Sequence, residues 1–465
     1  MIDIEVRLTE EQTSQLIALT CADENEAAAI ALCGRSVVQD PWTGRQIERL
    51  HLREIIEIPV EAYEGRSPAT FTWSTTPFFQ ALKRAEAADF GVAFIHSHPP
   101  GELAFSKADD VADNDLFSIA FNRLESRRPH VSVILNRASE IVARGYGPDL
   151  KPIPSRIMEI GERWKVFGAE AAPAAPELDR QTRVFGEVST ADLSRLRVGI
   201  VGCGGTGSAV ASLLARVGIR NVALIDADYV DDTNLNRLHF SSRVDASLRR
   251  AKVDVVGEGM AAIGLPMSIV RVRSFINAPE AIEALKACDV IFGCTDDHLG
   301  RETLNRIAHF YYIPVIDLGL LIEHGDDGGY DTFDGRVTIV QPGYPCQQCR
   351  GLIDPGEMYT DSLRLDPALM QMNRRAGYVP DDPAPNPVVV TFTTEVATMA
   401  VNELFHRLTG YRGTVERCSE RVRRFDVLKC SDTLPGGMSK PSCKICGKRQ
   451  YDGRGDVNPK LGLVL

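Results

Sequence analysis

A glycine run set directly behind a short apolar segment restricts this chain more than any other feature. Residues 197–201 read as a strand, Gly202-Cys203-Gly204-Gly205-Thr206-Gly207 follows, and a helical pattern runs over 207–217. Glycines at those spacings allow a tight turn and let backbone N–H groups approach a phosphate at a helix N-terminus. The same alternation continues as strand 221–226, helix around 249–262, strand 267–272, helix 279–287 and strand 289–293. Such units cross over right-handedly and build a parallel, doubly wound α/β sheet whose ligands sit at the carboxyl ends of its strands. Asp226 and Asp228 lie where a ribose-binding acid is expected. On these residues alone, an NAD or FAD enzyme is the first reading.

At 465 residues the chain is too long for one ordinary core. A small, Pro-rich stretch from Gly168 to Glu177 without hydrophobic period marks a linker over 166–178, between a domain at 1–165 and another at 179–465. Upstream of it, strand-length apolar runs at 27–33, 91–95 and 130–135, with a helical pattern at 77–88, predict a mixed α/β domain. Residues 351–387, rich in Pro, Asp and Arg, read as a long loop. The apolar run 198–219 has span length but contains six glycines and Arg216, so no membrane span is expected. The start, MIDIEVRLTEEQ, lacks the apolar core of a signal peptide, and a net charge of -11 argues against a nucleic-acid surface. Eleven cysteines, four of them in two C-x-x-C pairs, suit metal binding in a reducing, cytoplasmic setting.

In a strand, residues two apart share a face, so His96 and His98 can present both imidazoles to one ion, with Asp109 as the carboxylate ligand. Taken alone, Ser106 and Asp109 make an S-x-x-D helix cap. Taken together, H-x-H, seven residues, S, two residues, D resembles the signature of the JAMM metalloprotease family. The resemblance implies a catalytic zinc on His96, His98 and Asp109, and Ser106 at the oxyanion of the tetrahedral intermediate. It also implies a general-base glutamate ahead of an apolar segment ending in glycine; Glu26 fits, with Glu24 as the fallback.

Asp226-Ala-Asp228, Asn234-Leu-Asn-Arg237, Lys252, Cys294-Thr-Asp296 and the pairs Cys346/Cys349 and Cys443/Cys446 follow the glycine loop in order. Together they resemble the ThiF/MoeB adenylyltransferase family, which includes ubiquitin-activating enzymes. The resemblance implies ATP bound over Gly202, Gly204, Gly205 and Gly207, its ribose on Asp226 beside Asp228, and its phosphates among Asn234, Arg237 and Lys252. It further implies magnesium on Asp296, a structural zinc on the four cysteines, and Arg180 reaching the partner subunit's phosphates in a homodimer. The expected substrate is a ubiquitin-like or sulfur-carrier protein ending in Gly-Gly, passed on to a conjugating-enzyme-like cysteine protein or a sulfur donor. No cysteine falls in 351–387, so a thioester on this chain is not expected at the family's usual place, and Cys418 and Cys430 read as inert. The alternatives are an enzyme that trims and adenylates a peptide or small carboxylate, and a scaffold with one inactive domain.

Overall fold

A computed structural model describes residues 2–99, 103–168, 175–324, 330–363, 367–375, 387–413, 419–425, 432–433 and 437–462. The chain forms two compact units. The first comprises the described residues up to 168 with His309–Tyr312 and Tyr451–Gly462, and the second comprises the remainder. The linker expected over 166–178 falls partly on 169–174, outside the described residues.

In the first unit the strands are β1 (Asp3–Thr9), β2 (Ala28–Gln39), β3 (Gln46–Glu57), β4 (Tyr63–Ser67), β5 (Thr70–Trp73), β6 (Gly91–Ser97), β7 (His130–Leu135), β8 (Ile141–Tyr146), β9 (Pro152–Ile160) and β10 (Lys165–Phe167). The helices are α1 (Glu10–Thr20), α2 (Thr76–Ala88) and α3 (Lys107–Arg123). The sheet order is β1-β3-β2-β6-β7-β8-β9-β10, and a parallel pairing of β9 with β1 closes it on itself. β4 and β5 form a separate hairpin. Period-two alternation divides the core. Ala29, Ala31, Ala93 and Ile95 pack with Leu16 of α1, while Ile30, Leu32, Val92 and Phe94 pack with Phe78 and Leu82 of α2 and Phe117 of α3. Each large apolar side chain buried this way contributes about 1.5–3 kcal/mol.

The segment from Tyr451 lies along β2, where Gly455 bridges Arg35 in parallel. The Asp456 amide donates to Arg35 O at 2.7 Å, and its carboxylate accepts Val37 N–H at 2.9 Å. A Cβ at Gly34 would stand 1.9 Å from Gly453 O, so glycine is what lets the two backbones meet.

The second unit opens with α4 (Asp179–Arg195), which breaks at Gly186 (φ 83°). It continues through β11 (Arg197–Val201), α5 (Gly205–Arg216), β12 (Asn221–Ile225), α6 (Arg243–Ser247), α7 (Lys252–Ala261), β13 (Ser268–Val272), α8 (Pro279–Lys286) and β14 (Val290–Gly293). Then come α9 (His298–Phe310), β15 (Val315–His324), β16 (Tyr330–Val340), α10 (Pro355–Leu363), α11 (Pro367–Arg375), α12 (Val390–Thr409), β17 (Glu420–Arg424) and β18 (Asp432–Thr433). The order β13-β12-β11-β14-β15 is parallel, reversing direction beside β11 as in a doubly wound sheet. Two expectations need correction. Antiparallel β16, β17 and β18 extend the sheet beyond its parallel part. Residues 351–387 hold two helices, α10 and α11, each opened by a proline whose missing N–H a first helical turn does not need. Among the described residues no helix is long and apolar enough to cross a membrane.

Candidate functional sites

Alternation along β6 turns His96 to the same side as Val92 and Phe94, toward α3. Ser97 turns the other way, donating to Thr20 O at 2.5 Å and accepting Ala27 N–H at 3.2 Å. β2 runs antiparallel to β6 with Ala28 opposite His96, so two residues further out Glu26 comes opposite His98. Ser106 caps α3: its hydroxyl accepts Asp109 N–H at 3.2 Å while the Asp109 carboxylate accepts Ser106 N–H at 2.6 Å. The cap reading of these two residues is therefore realised, and it turns Asp109 toward the histidines.

Asp109 Oδ1 stands 3.2 Å from His96 Nε2, and Oδ2 stands 3.8 Å from His98 Nε2. Glu26 Oε1 is 3.7 Å from His98 Nε2, whereas Glu24 is exposed and pairs with Arg137. One ligand atom each from His96, His98 and Asp109 lies within 4.8 Å of the others. His96 is buried; its Nδ1 makes no hydrogen bond, and its Nε2 has the Asp109 carboxylate at 3.2 Å in a geometry too bent for a good hydrogen bond. An imidazole left so would cost stability, and a metal on its nitrogen removes that cost, so these residues fit a zinc ion. Burial pushes the Glu26 carboxyl up, opposed by His98 and His96. Burial would also raise Asp109, but His96 and the Ser106 hydrogen bonds hold it well below the usual carboxylate range.

In the second unit the glycine loop leaves β11 at Gly202 (φ 88°). A Cβ at Gly207 would meet Gly202 O at 1.8 Å, whereas one at Gly204, the N-cap of α5, would meet nothing within 4 Å. The N-cap of α5 is thus open at Gly204, while the Arg237 stem covers Gly205 beside it. Asp226, past the end of β12, accepts Cys203 N–H at 2.6 Å and Asp228 N–H at 2.8 Å, and burial raises its carboxyl. Burial works against the charge on Lys252, but Asp226 and Asp228 hold it above the ordinary lysine value. Its ammonium donates to Asp228 at 2.8 Å. Asn234 is buried and accepts Asp231 N–H at 3.3 Å in a capping box. The stem of Arg237 lies against Gly205 and its guanidinium bonds Thr233 O and Asn236.

Asp296 is exposed just beyond β14, while its neighbour Asp297 is spent on Thr295 and on the Gly300 N–H at the start of α9. Arg180 is exposed in the first turn of α4 and has no hydrogen bond or ion pair among the described residues. Cys203 is fully buried, which raises its thiol far above the ordinary value, as packing requires and nucleophilic chemistry does not.

Cys346 and Cys443 approach to 3.6 Å between sulfurs, and Cys349 and Cys446 to 3.5 Å. All four sulfurs lie within 4.8 Å of one another, a donor set that fits tetrahedral zinc. The first pair is tied to α9: Gln347 N–H donates to Asn305 at 3.3 Å and Gln348 Nε2 to Glu302 at 2.9 Å. Cys418 and Cys430 lie outside the described residues. Sequence reasoning missed the residues that hold the first site in place, above all Arg66, which reaches Glu26 across 40 positions with no motif to announce it.

The ThiF family model matches residues 178–445, and the model of prokaryotic homologs of the JAB domain matches residues 9–142. The molybdopterin-synthase adenylyltransferase of Escherichia coli is 25% identical over 254 residues, which cover 54% of this chain and 87% of that protein. The SAMP-activating enzyme E1 of Haloferax volcanii is 27% identical over 292 residues, covering 61% and 94%. The sulfur carrier protein ThiS adenylyltransferase of Bacillus subtilis is 24% identical over 275 residues, covering 59% and 71%.

Proposed function

Since the chain belongs to the ThiF family and carries a JAB domain ahead of its ThiF domain, we propose that it both trims and activates one carrier protein. The substrate we propose is a ubiquitin-like or sulfur-carrier protein ending in Gly-Gly; the named targets of two relatives, SAMP and the sulfur carrier protein ThiS, support a carrier protein as substrate. The observation that carries the reading is the open N-terminus of α5 at Gly204, flanked by Asp226 and by the Lys252 ammonium.

In the ThiF domain an oxygen of the carrier's C-terminal carboxylate attacks the α-phosphorus of ATP. The bond from that phosphorus to pyrophosphate breaks, leaving an acyl-adenylate. The α5 N–H groups, Lys252 and Arg237 bind phosphate oxygens as charge moves onto the leaving pyrophosphate, with Asn234 fixing the turn that carries Arg237. Asp226, anchored to the loop through Cys203 N–H, holds the ribose, with Asp228 setting the lysine beside it. Asp296 would hold a magnesium ion, which would neutralise further charge at the phosphates. In a homodimer Arg180, exposed and with no hydrogen bond or ion pair among the described residues, adds a positive charge to the neighbouring subunit's site. The acyl group then passes to a cysteine on a second protein or to a sulfur donor.

In the JAB domain His96, His98 and Asp109 would hold a zinc ion, which would polarise the carbonyl and lower the pKa of the attacking water. Glu26 carries the proton from the attacking water to the leaving amine. Ser106 accepts Asp109 N–H through its oxygen, so its own O–H remains to be donated to the oxyanion. The four cysteines would hold a second zinc that is structural and does no chemistry.

ATP/pyrophosphate exchange with purified protein and candidate carriers ending in Gly-Gly tests the reading. Exchange that depends on one carrier supports it and identifies the substrate. Exchange driven only by a short peptide would move the assignment to peptide tailoring, and none with any substrate at full zinc would leave a scaffold.

A further inference from the structure

We propose that Arg66, on the hairpin strand β4, is the positioning residue for Glu26, an inference that rests on the peptidase reading of the JAB domain. Glu26 precedes β2 by two residues; Ser97 of β6 bonds the N–H and C=O of its neighbour Ala27, and the bonds to Glu26's own N–H and C=O come from the hairpin. The Glu26 backbone is held from one side by two consecutive residues of the hairpin. Glu26 N–H donates to Ser67 O at 2.9 Å, and Arg66 Nε donates to Glu26 O at 3.0 Å. The same guanidinium donates to Asn25 O at 3.3 Å and to both carboxylate oxygens of Asp23 at 3.1 and 3.2 Å. One planar fork thus spans four residues of the segment, a geometry that an ammonium cannot reproduce. Tyr63 extends the clamp, its hydroxyl accepting Ala28 N–H at 2.9 Å and donating to Ala28 O at 3.2 Å, with the Arg66 guanidinium 5.2 Å from its ring centre.

The arrangement differs from an ordinary surface ion pair. Asp23 is half exposed, and such a pair alone contributes little. Both backbone polar groups of Glu26 are engaged, leaving its carboxylate to face His98 at 3.7 Å. The hairpin also sets Phe71 6.1 Å from the His96 ring, so one element fixes the base and walls the imidazole. Proton transfer needs its base within a few tenths of an ångström of the productive place, and partners behind a metal-site residue are typically worth about 10–100-fold.

The test uses the full chain, zinc-loaded, as wild type, Arg66→Ala, Arg66→Lys and Glu26→Gln. Zinc content and melting temperature are measured first, then cleavage of a fluorogenic peptide ending in Gly-Gly-aminomethylcoumarin, then hydrogen exchange over residues 23–28. Expected for Arg66→Ala are full zinc, a kcat lower by about 10–100-fold with KM within about twofold, and faster exchange confined to 23–28. Arg66→Lys should recover part of kcat. Wild-type kcat in Arg66→Ala, or exchange over 23–28 unchanged from wild type, overturns the proposal. If zinc-loaded wild type leaves the peptide intact, the peptidase reading fails on its own, and the exchange measurement still decides whether Arg66 holds the segment.

Discussion

At the scale of single residues, neighbours in sequence divide the work. Asp297 is consumed by the cap of α9 while Asp296 stays exposed, so Asp296→Ala should leave folding and zinc content unchanged and lower ATP/pyrophosphate exchange by about 10²–10³-fold. Exchange at the wild-type rate would remove Asp296 from the site. In the JAB domain, His130 is buried against Phe117 and Phe121 and accepts Val92 N–H, and burial lowers its pKa from 6.5 to about 3. Its folded-state value is depressed, so the unfolded chain takes up a proton first as pH falls. Stability present above about pH 6.5 is therefore lost progressively down to about pH 3. Between pH 6.5 and 5 the loss should be about 2 kcal/mol, and urea titrations of wild type and His130→Phe at the two pH values should give a shallower slope for the variant.

At the scale of elements, the glycine loop is held by backbone as well as by sequence. Gly207→Ala sets a methyl 1.8 Å from Gly202 O, so the loop must open. A cost of about 2 kcal/mol should lower the melting temperature of the ThiF domain by roughly 4–8 °C, with loss of ATP-dependent exchange. Calorimetry showing an unchanged transition would mean that α5 tilts to make room. Apart from the short α6, the strands, helices and loop from 197 to 293 were legible because apolar period and glycine placement act over a few residues. The approach of His96, His98 and Asp109 was legible for the same reason, through strand alternation and a cap. The helices α10 and α11 were not, since Pro355 and Pro367 read as breakers although each opens a helix. Nor were β16 to β18, which add one after another to the sheet edge at β15, or Arg66, whose partners sit on a distant segment.

At the scale of the molecule, the first unit is not contiguous in sequence. Removing residues from 451 onward keeps Cys443 and Cys446 but takes away the Arg35–Gly455 bridge, the two Asp456 backbone bonds and the Asp452 partner of His309. Limited proteolysis should then cut the JAB domain faster while ATP/pyrophosphate exchange persists; equal resistance of the truncated and full chains would show the segment to be dispensable. The arrangement also sets a clock on the ribosome. Translation at about 5–20 residues per second puts roughly 15–55 s between the emergence of residue 170 and that of the segment from Tyr451. Through that interval the JAB domain exists without its last piece, and a nascent chain that stalls before 451 never acquires it. Each molecule would then complete its JAB domain only after its ThiF domain, matched over 178–445, had been made.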